Sequence, residues 1–165
     1  PNKLLIGGKI LKPQKRSRRI AMSPEELNAF LNEERTCRLA TISPKGPHVS
    51  PLWYVWDGGD MWFTSVVRSQ RWTDIQREPT VSVVVDAGVD YLELRGAELI
   101  GRVDIVGEVP RTGEPNVELE EPESLMARKY HNKSSMDHDH RHAWLRLRPE
   151  KIVSWDFRKL SALNK

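Results

Sequence analysis

The stretch from Thr64 to Trp72 gathers three hydroxyls (Thr64, Ser65, Ser69) and two guanidinium groups (Arg68, Arg71) where a strand gives way to a short helix. Free N–H groups at a helix start, and the positive end of its dipole, favour an anion there. Ser69 and Arg71 can add charge-assisted hydrogen bonds, so the chemistry this junction suits is capture of a phosphate. A plainer reading has Ser69 merely capping the helix and Arg71 solvated at the surface; the residues alone leave both open.

Few other groups are equipped for covalent chemistry. Cys37, the one cysteine, stands between Arg35 and Arg38, which favour a thiolate, but no partner motif accompanies it and a buried core role is expected. A single cysteine cannot form an intrachain disulfide, which excludes a disulfide-built secreted scaffold; the expected compartment is the reducing cytoplasm. His138, His140 and His142 alternate and, with His131, invite a metal reading. The aspartates and serines among them point instead to a solvated loop, and no metal is expected. His48 is a candidate proton donor or simply a strand residue. The sequence has no glycine-rich dinucleotide loop, Walker sequence or Gly-x-Ser-x-Gly elbow. Difficult chemistry would have to be done by a bound cofactor.

The elements that position these residues follow from local signals. Ser23, Pro24 and Glu26 form a capping-box start for a helix that Leu27, Phe30 and Leu31 make amphipathic, running to about Glu34. Strand periodicity begins at Thr36, reverses at Ser43 to Gly46, returns from His48 to Trp56, reverses again at Asp57 to Asp60 and continues from Met61 to Ser65. A helix from Gln70 to Glu78 ends before Pro79. Val81 to Val85 is a β-branched strand. Tyr91 to Val106 is extended, with Gly96 and Gly101 marking bulges or close coiling. Residues 107–122 form an acidic, proline-bearing connection, Glu123 to Tyr130 a helix and His131 to Arg141 a polar loop. Ala143 to Leu147 and Ile152 to Phe157 are predicted as two final strands. About six antiparallel strands with short helices and no βαβ alternation predict a mainly β, closed or nearly closed barrel.

At 165 residues the chain has one core, assigned to 21–165, preceded by a basic arm over 1–20 that contains Lys12, Lys15, Arg16, Arg18 and Arg19. With 26 Lys and Arg against 23 Asp and Glu the net charge is only +3, and the one dense basic run, Lys9 to Arg19, reads as a flexible, solvated arm, so no specific nucleic-acid partner is expected. No run approaches the roughly 20 apolar residues of a membrane span. Tryptophan supplies six of the twelve aromatic residues, the others being three Tyr and three Phe. That is enough for both a core and an aromatic pocket wall.

Taken in order, several segments resemble one family: Arg38 to Ile42, Gly46 to Tyr54, Met61 to Ser65, Ser69 to Pro79 with its following Val-rich strand, Arg95 to Glu98, and Arg148 to Asp156. The succession looks like the pyridoxamine 5′-phosphate oxidase-like split β-barrel over residues 23–158, and the Ser-x-Arg junction with the Trp155-Asp156 strand resembles its flavin and deazaflavin (coenzyme F-420) dependent branch. The resemblance implies a homodimeric, cytoplasmic oxidoreductase that transfers hydride between F-420 (first choice) or FMN and a small unsaturated or carbonyl-containing substrate. The alternative is a non-catalytic flavin-, deazaflavin- or haem-binding module. By resemblance Ser69 and Arg71 hold the cofactor phosphate, Thr64 and Ser65 line its ribityl chain, Ser50, Pro51, Leu52 and Trp53 border its ring, and Trp72 and Trp155 complete the set. The site is expected between two subunits, with Trp144, Trp155 and Arg158 as candidate contributions from the second chain.

Overall fold

The computed structural model describes residues 4–15 and 17–163; Arg16 of the basic arm lies outside them. Helix α1 (Pro24–Glu33) begins as the capping box requires: the Ser23 hydroxyl accepts from the Glu26 N–H at 3.2 Å and the Glu26 carboxylate accepts from the Ser23 N–H at 2.7 Å. It buries Leu27, Phe30 and Leu31 against the sheet. The strands β3 (Thr36–Ser43), β4 (Gly46–Trp53), β5 (Val55–Trp56), β6 (Met61–Val66), β7 (Thr80–Ala87), β8 (Arg95–Val106) and β9 (His142–Asp156) form one antiparallel sheet in the order β4-β3-β7-β8-β9-β6-β5.

That order dictates a curled sheet. Its two edge strands, β4 and β5, are separated in the chain by Tyr54 alone, so the Cα atoms of Trp53 and Val55 stand at most about 7 Å apart and the edges must meet. Tyr54 fixes the corner: its ring is fully buried and its hydroxyl donates to the Leu31 carbonyl of α1 at 2.7 Å. The enclosed core contains Leu39, Phe63, Val83, Leu99 and Leu145. Cys37 is buried among them, and burial pushes its thiol up to about 12, which makes it a core residue and no nucleophile. No helix among the described residues is long and apolar enough to cross a membrane.

Three expectations are corrected. The segment read as a basic arm without regular structure contains a hairpin, β1 (Leu4–Ile6) with β2 (Lys9–Leu11), whose Ile6 and Leu11 join the core; two three-residue strands are too short to show a period. The helix predicted from Glu123 starts earlier, as α3 (Val117–Met126), because Asn116 caps it and Pro122 is tolerated inside it. The two final strands are one strand, β9, continuous through a bulge. Ile100 pairs with Lys151 but Gly101 pairs with Pro149, so Glu150 is the extra residue and Pro149 sits at the bulge, a place within a sheet that tolerates proline.

Gly101 makes the bulge possible. A Cβ there would lie 2.1 Å from the Arg148 carbonyl oxygen, a backbone atom that cannot swing aside. Gly101→Ala is therefore expected to destabilise the fold by about 2–3 kcal/mol, read as a lower urea midpoint at fixed protein concentration. An unchanged midpoint would mean that β8 and β9 do not approach this closely.

Candidate functional site

A cavity of about 670 Å³ opens between β4, the start of helix α2 (Gln70–Arg77), β6, β9 and the loops 107–116 and 131–141. At its cationic end Ser69 caps α2, its hydroxyl accepting from the Trp72 N–H at 3.1 Å. Arg71 leans back over the strands: its Nη1 donates to Ser50 Oγ at 2.6 Å and its Nε to Ser65 Oγ at 3.1 Å, while Ser65 and Ser69 share a hydrogen bond of 3.1 Å. Ser50 lies on β4 and Ser65 on β6, so the guanidinium spans two strands. It is half-buried, and burial lowers its pKa; no carboxylate among the described residues pairs with it. A desolvated cation held by two hydroxyls is a site arranged to receive an anion.

Pro51, Leu52 and Trp53 form one wall, and Trp53 is 50% exposed although its indole stacks on Tyr130 at 4.5 Å and 18°. Tyr130 is itself pinned. Its hydroxyl accepts from the Tyr54 N–H and lies 2.6 Å from the carbonyls of both Arg35 and Tyr54, either of which its single proton can reach. Thr64, Trp144 and Met126 complete the apolar surface.

The opposite wall is ionic. Arg111, only 6% exposed, donates to Glu123 through Nε at 2.7 Å and Nη2 at 3.3 Å, to the Glu114 carbonyl at 2.7 Å, and to Glu108. Glu123 Oε1 also meets His138 Nε2 at 3.0 Å and accepts from the Trp144 indole N–H at 3.1 Å. Burial works against ionisation of Glu123, but Arg111 and His138 outweigh it and hold the carboxyl below its usual range. A second imidazole pair lies nearer the mouth, where Asp139 Oδ2 stands 2.6 Å from His142 Nδ1.

Asp139 makes the wall acid-sensitive. Burial opposes its charge, yet the Arg141 and His142 N–H groups and the His142 ring hold its pKa at about 2. A carboxyl depressed in the folded state binds fewer protons than in the unfolded chain, so its contribution is present above about pH 4 and fades as pH falls towards 2. The urea midpoint is expected to drop over that window, and less steeply in Asp139→Asn; parallel curves would remove Asp139 from the account.

Of the residues singled out in the sequence, Pro51, Leu52, Trp53, Thr64 and Arg71 line the cavity directly, and Ser50, Ser65 and Ser69 stand behind Arg71. Trp72 is 4% exposed and faces the core. Trp155 lies at the far end of β9, its ring against Gly96, and does not reach the cavity of its own chain. Sequence reasoning missed Arg111 and Glu123, weighed His138 only as a metal ligand, and took the 131–141 segment for a solvated loop although His131, His138 and Asp139 line the cavity. Among the described residues no three His, Cys, Asp or Glu side chains converge in the manner of a metal site.

Residues 23–156 match the family model described as pyridoxamine 5′-phosphate oxidase. A conserved hypothetical protein of Mycobacterium tuberculosis is 30% identical over 90% of this chain and 93% of that one, with a TM-score of 0.75. Two more distant structures share the fold. An F-420 reductase is 22% identical over 76% of this chain and 94% of its own (TM-score 0.56), and HutZ, the haem storage protein of Vibrio cholerae, is 17% identical over 79% and 93% (TM-score 0.61). No curated protein matches the sequence.

Proposed function

The chain belongs to the pyridoxamine 5′-phosphate oxidase family, and from that premise we propose that it is an oxidoreductase binding a phosphorylated flavin-type cofactor, deazaflavin F-420 in the first instance and FMN in the second. The observation behind this reading is Arg71, a half-buried guanidinium held by Ser50 and Ser65 with no carboxylate partner among the described residues. The residues present fit such a group. A phosphate suits Arg71 and the capped start of α2, and a planar ring suits the slot bounded by Pro51, Leu52, Trp53 and Trp144. When bound, the cofactor supplies hydride transfer to or from a small unsaturated or carbonyl-containing substrate. The protein's own share is to hold the phosphate, to keep water from the apolar wall and to shape the remaining space against the loop 131–141.

A second copy of the chain is part of this reading. Pro47, Val49, Pro51 and Trp53 alternate along the outer face of the edge strand β4, with Ile42 beside them; Val49 is 60%, Trp53 50% and Ile42 52% exposed. A row of this kind next to a ligand cavity is a subunit interface in the making. The proposed homodimer would cover it and bring Trp155 and Arg158 of the second chain towards the cavity.

The rival is a non-catalytic module that stores flavin, deazaflavin or haem, favoured by one feature: His131, His138 and His142 all line the cavity. Fluorescence titration of the purified protein with F-420 and separately with FMN decides between them. Saturable binding of either, followed by reoxidation of the reduced cofactor when an electron acceptor is added, is the expected result. Binding without turnover would favour the module, a Soret band on haem addition would favour haem, and no binding at all would end the oxidoreductase reading.

A further inference from the structure

Glu123 constrains His138 completely at one nitrogen and leaves the other free. Arg111 keeps Glu123 ionised, and an ionised carboxylate only accepts hydrogen bonds, so the proton between Glu123 Oε1 and His138 Nε2 resides on the imidazole. When neutral, His138 is thereby fixed as the Nε2–H tautomer, and any second proton it carries is on Nδ1. Its Nδ1 has no hydrogen-bond partner among the described residues, and it is not one of the buried unpaired atoms, which are His48 Nδ1 and Arg146 Nε. Nδ1 therefore keeps contact with open space, on a residue that lines the cavity. Gly113 lies close beside it, and a Cβ on that residue would come within 2.9 Å of Nδ1 and crowd it.

We propose that His138 is the proton-exchanging residue of the cavity, with Glu123 as its positioning residue, and that its Nδ1 donates a proton to the carbonyl oxygen or adjacent carbon of a conjugated carbonyl substrate. The inference rests on the oxidoreductase reading above. Reduction of such a substrate consumes a hydride and a proton. The hydride would come from the reduced flavin-type cofactor; the proton leaves Nδ1 of the imidazolium, forms the new O–H or C–H bond, and leaves its electron pair on the ring, which becomes the neutral Nε2–H tautomer and is recharged by solvent. The arrangement of carboxylate, oriented imidazole and open nitrogen is the one that proton transfer by histidine requires.

The charged groups that bear on His138 are Glu123 from α3, Arg111 and Glu108 from the loop 107–116, Asp137 and Asp139 from its own loop, and His142 at the start of β9. Asp137 is paired with Lys133 and Asp139 with His142, which leaves Glu123 as the carboxylate bonded to His138. His142 is the natural comparison. It too meets a carboxylate, but its side chain is 39% exposed against 19% for His138.

Two measurements test the assignment. The first is nitrogen NMR on the cofactor-free protein: His138 is expected as the Nε2–H tautomer, and Glu123→Gln is expected to populate the Nδ1–H form. Detection of the neutral tautomer with Nδ1 protonated and Nε2 bare in the unsubstituted protein would overturn the proposal. The second is 4-nitrophenol binding, the phenolate oxygen standing in for an enolate, followed across pH 5–9 with and without cofactor. One proton linked to binding is expected, with affinity falling at least tenfold in His138→Gln, whose amide can still donate to Glu123 but has no titrating nitrogen. Affinity for the cofactor should stay within about twofold. If His142→Gln abolishes the linkage and His138→Gln does not, or if His138→Gln weakens cofactor and phenol equally, the assignment fails. Failure of the underlying oxidoreductase reading looks different: no cofactor binds to the unsubstituted protein, whereas the tautomer result is unaffected.

Discussion

Replacing Arg71 with alanine is expected to weaken cofactor binding by at least about 100-fold, since a hydrogen bond to a charged group contributes roughly 1.5–3 kcal/mol and the guanidinium would offer two to a phosphate. Arg71→Lys should fall between, losing about tenfold. A point charge neutralises the anion but cannot bond Ser50, Ser65 and a phosphate together in one plane. Fluorescence titration reads both variants, and the difference should shrink at high salt because screening weakens the attraction. The stability of the cofactor-free protein should not suffer. Arg71 is desolvated without a counter-ion, so its removal relieves a cost as well as two hydrogen bonds, and the thermal midpoint is expected to hold or rise slightly. A large loss of stability together with unchanged cofactor affinity would mean that Arg71 is a structural clamp between β4 and β6.

Arg111→Ala is expected to have the largest effect on stability, about 3 kcal/mol. The substitution leaves Glu123 beside the apolar Trp144 with its cation gone, and it frees Glu108 from the side chain that ties the loop 107–116 together. The Arg111 N–H also donates to the His142 carbonyl at 2.7 Å, a backbone bond that survives the substitution, so the damage should be confined to side-chain contacts. Urea denaturation measures the loss. Hydrogen exchange should localise it, with amides of 107–116 and 131–141 exchanging faster while those of β7 and β8 stay protected. Adding Glu123→Gln to Arg111→Ala removes the uncompensated charge but keeps an acceptor for Trp144, and is expected to restore about 1 kcal/mol. A double variant less stable than the single one would show that Glu123 is not stranded by the loss of Arg111.

The two variants separate the ends of the cavity, and those ends differ in how far they can be read from the chain. Ser50 is distant from Ser65 and Arg71 in sequence, yet the phosphate end was legible: Ser69, Arg71 and the start of α2 are neighbours in the chain, and a capped helix start has a local signature. The capping box of α1 and the turns at Ser43 to Gly46 and Asp57 to Asp60 are legible for the same reason, because their hydrogen bonds close within two or three residues. The family's ordered segments then determine the split barrel, since each is a strand or turn whose periodicity survives without knowing its partner.

What the sequence by itself determined, then, is the set of elements, their order, the mainly β class and a phosphate-suited junction. Only the tertiary structure decided that Arg111, Glu123 and His138 belong together, because they come from a loop, a helix and a second loop, and a polar loop has the same composition whether it faces water or a cavity. It alone made β9 one strand, since Pro149 looks like a strand breaker until Gly101 opposite opens the bulge that accommodates it. It also sorted the strand tryptophans, placing Trp53 and Trp144 on the cavity and Trp155 beyond reach within one chain, because the face a strand residue occupies is set by the register of its neighbours rather than by its own type.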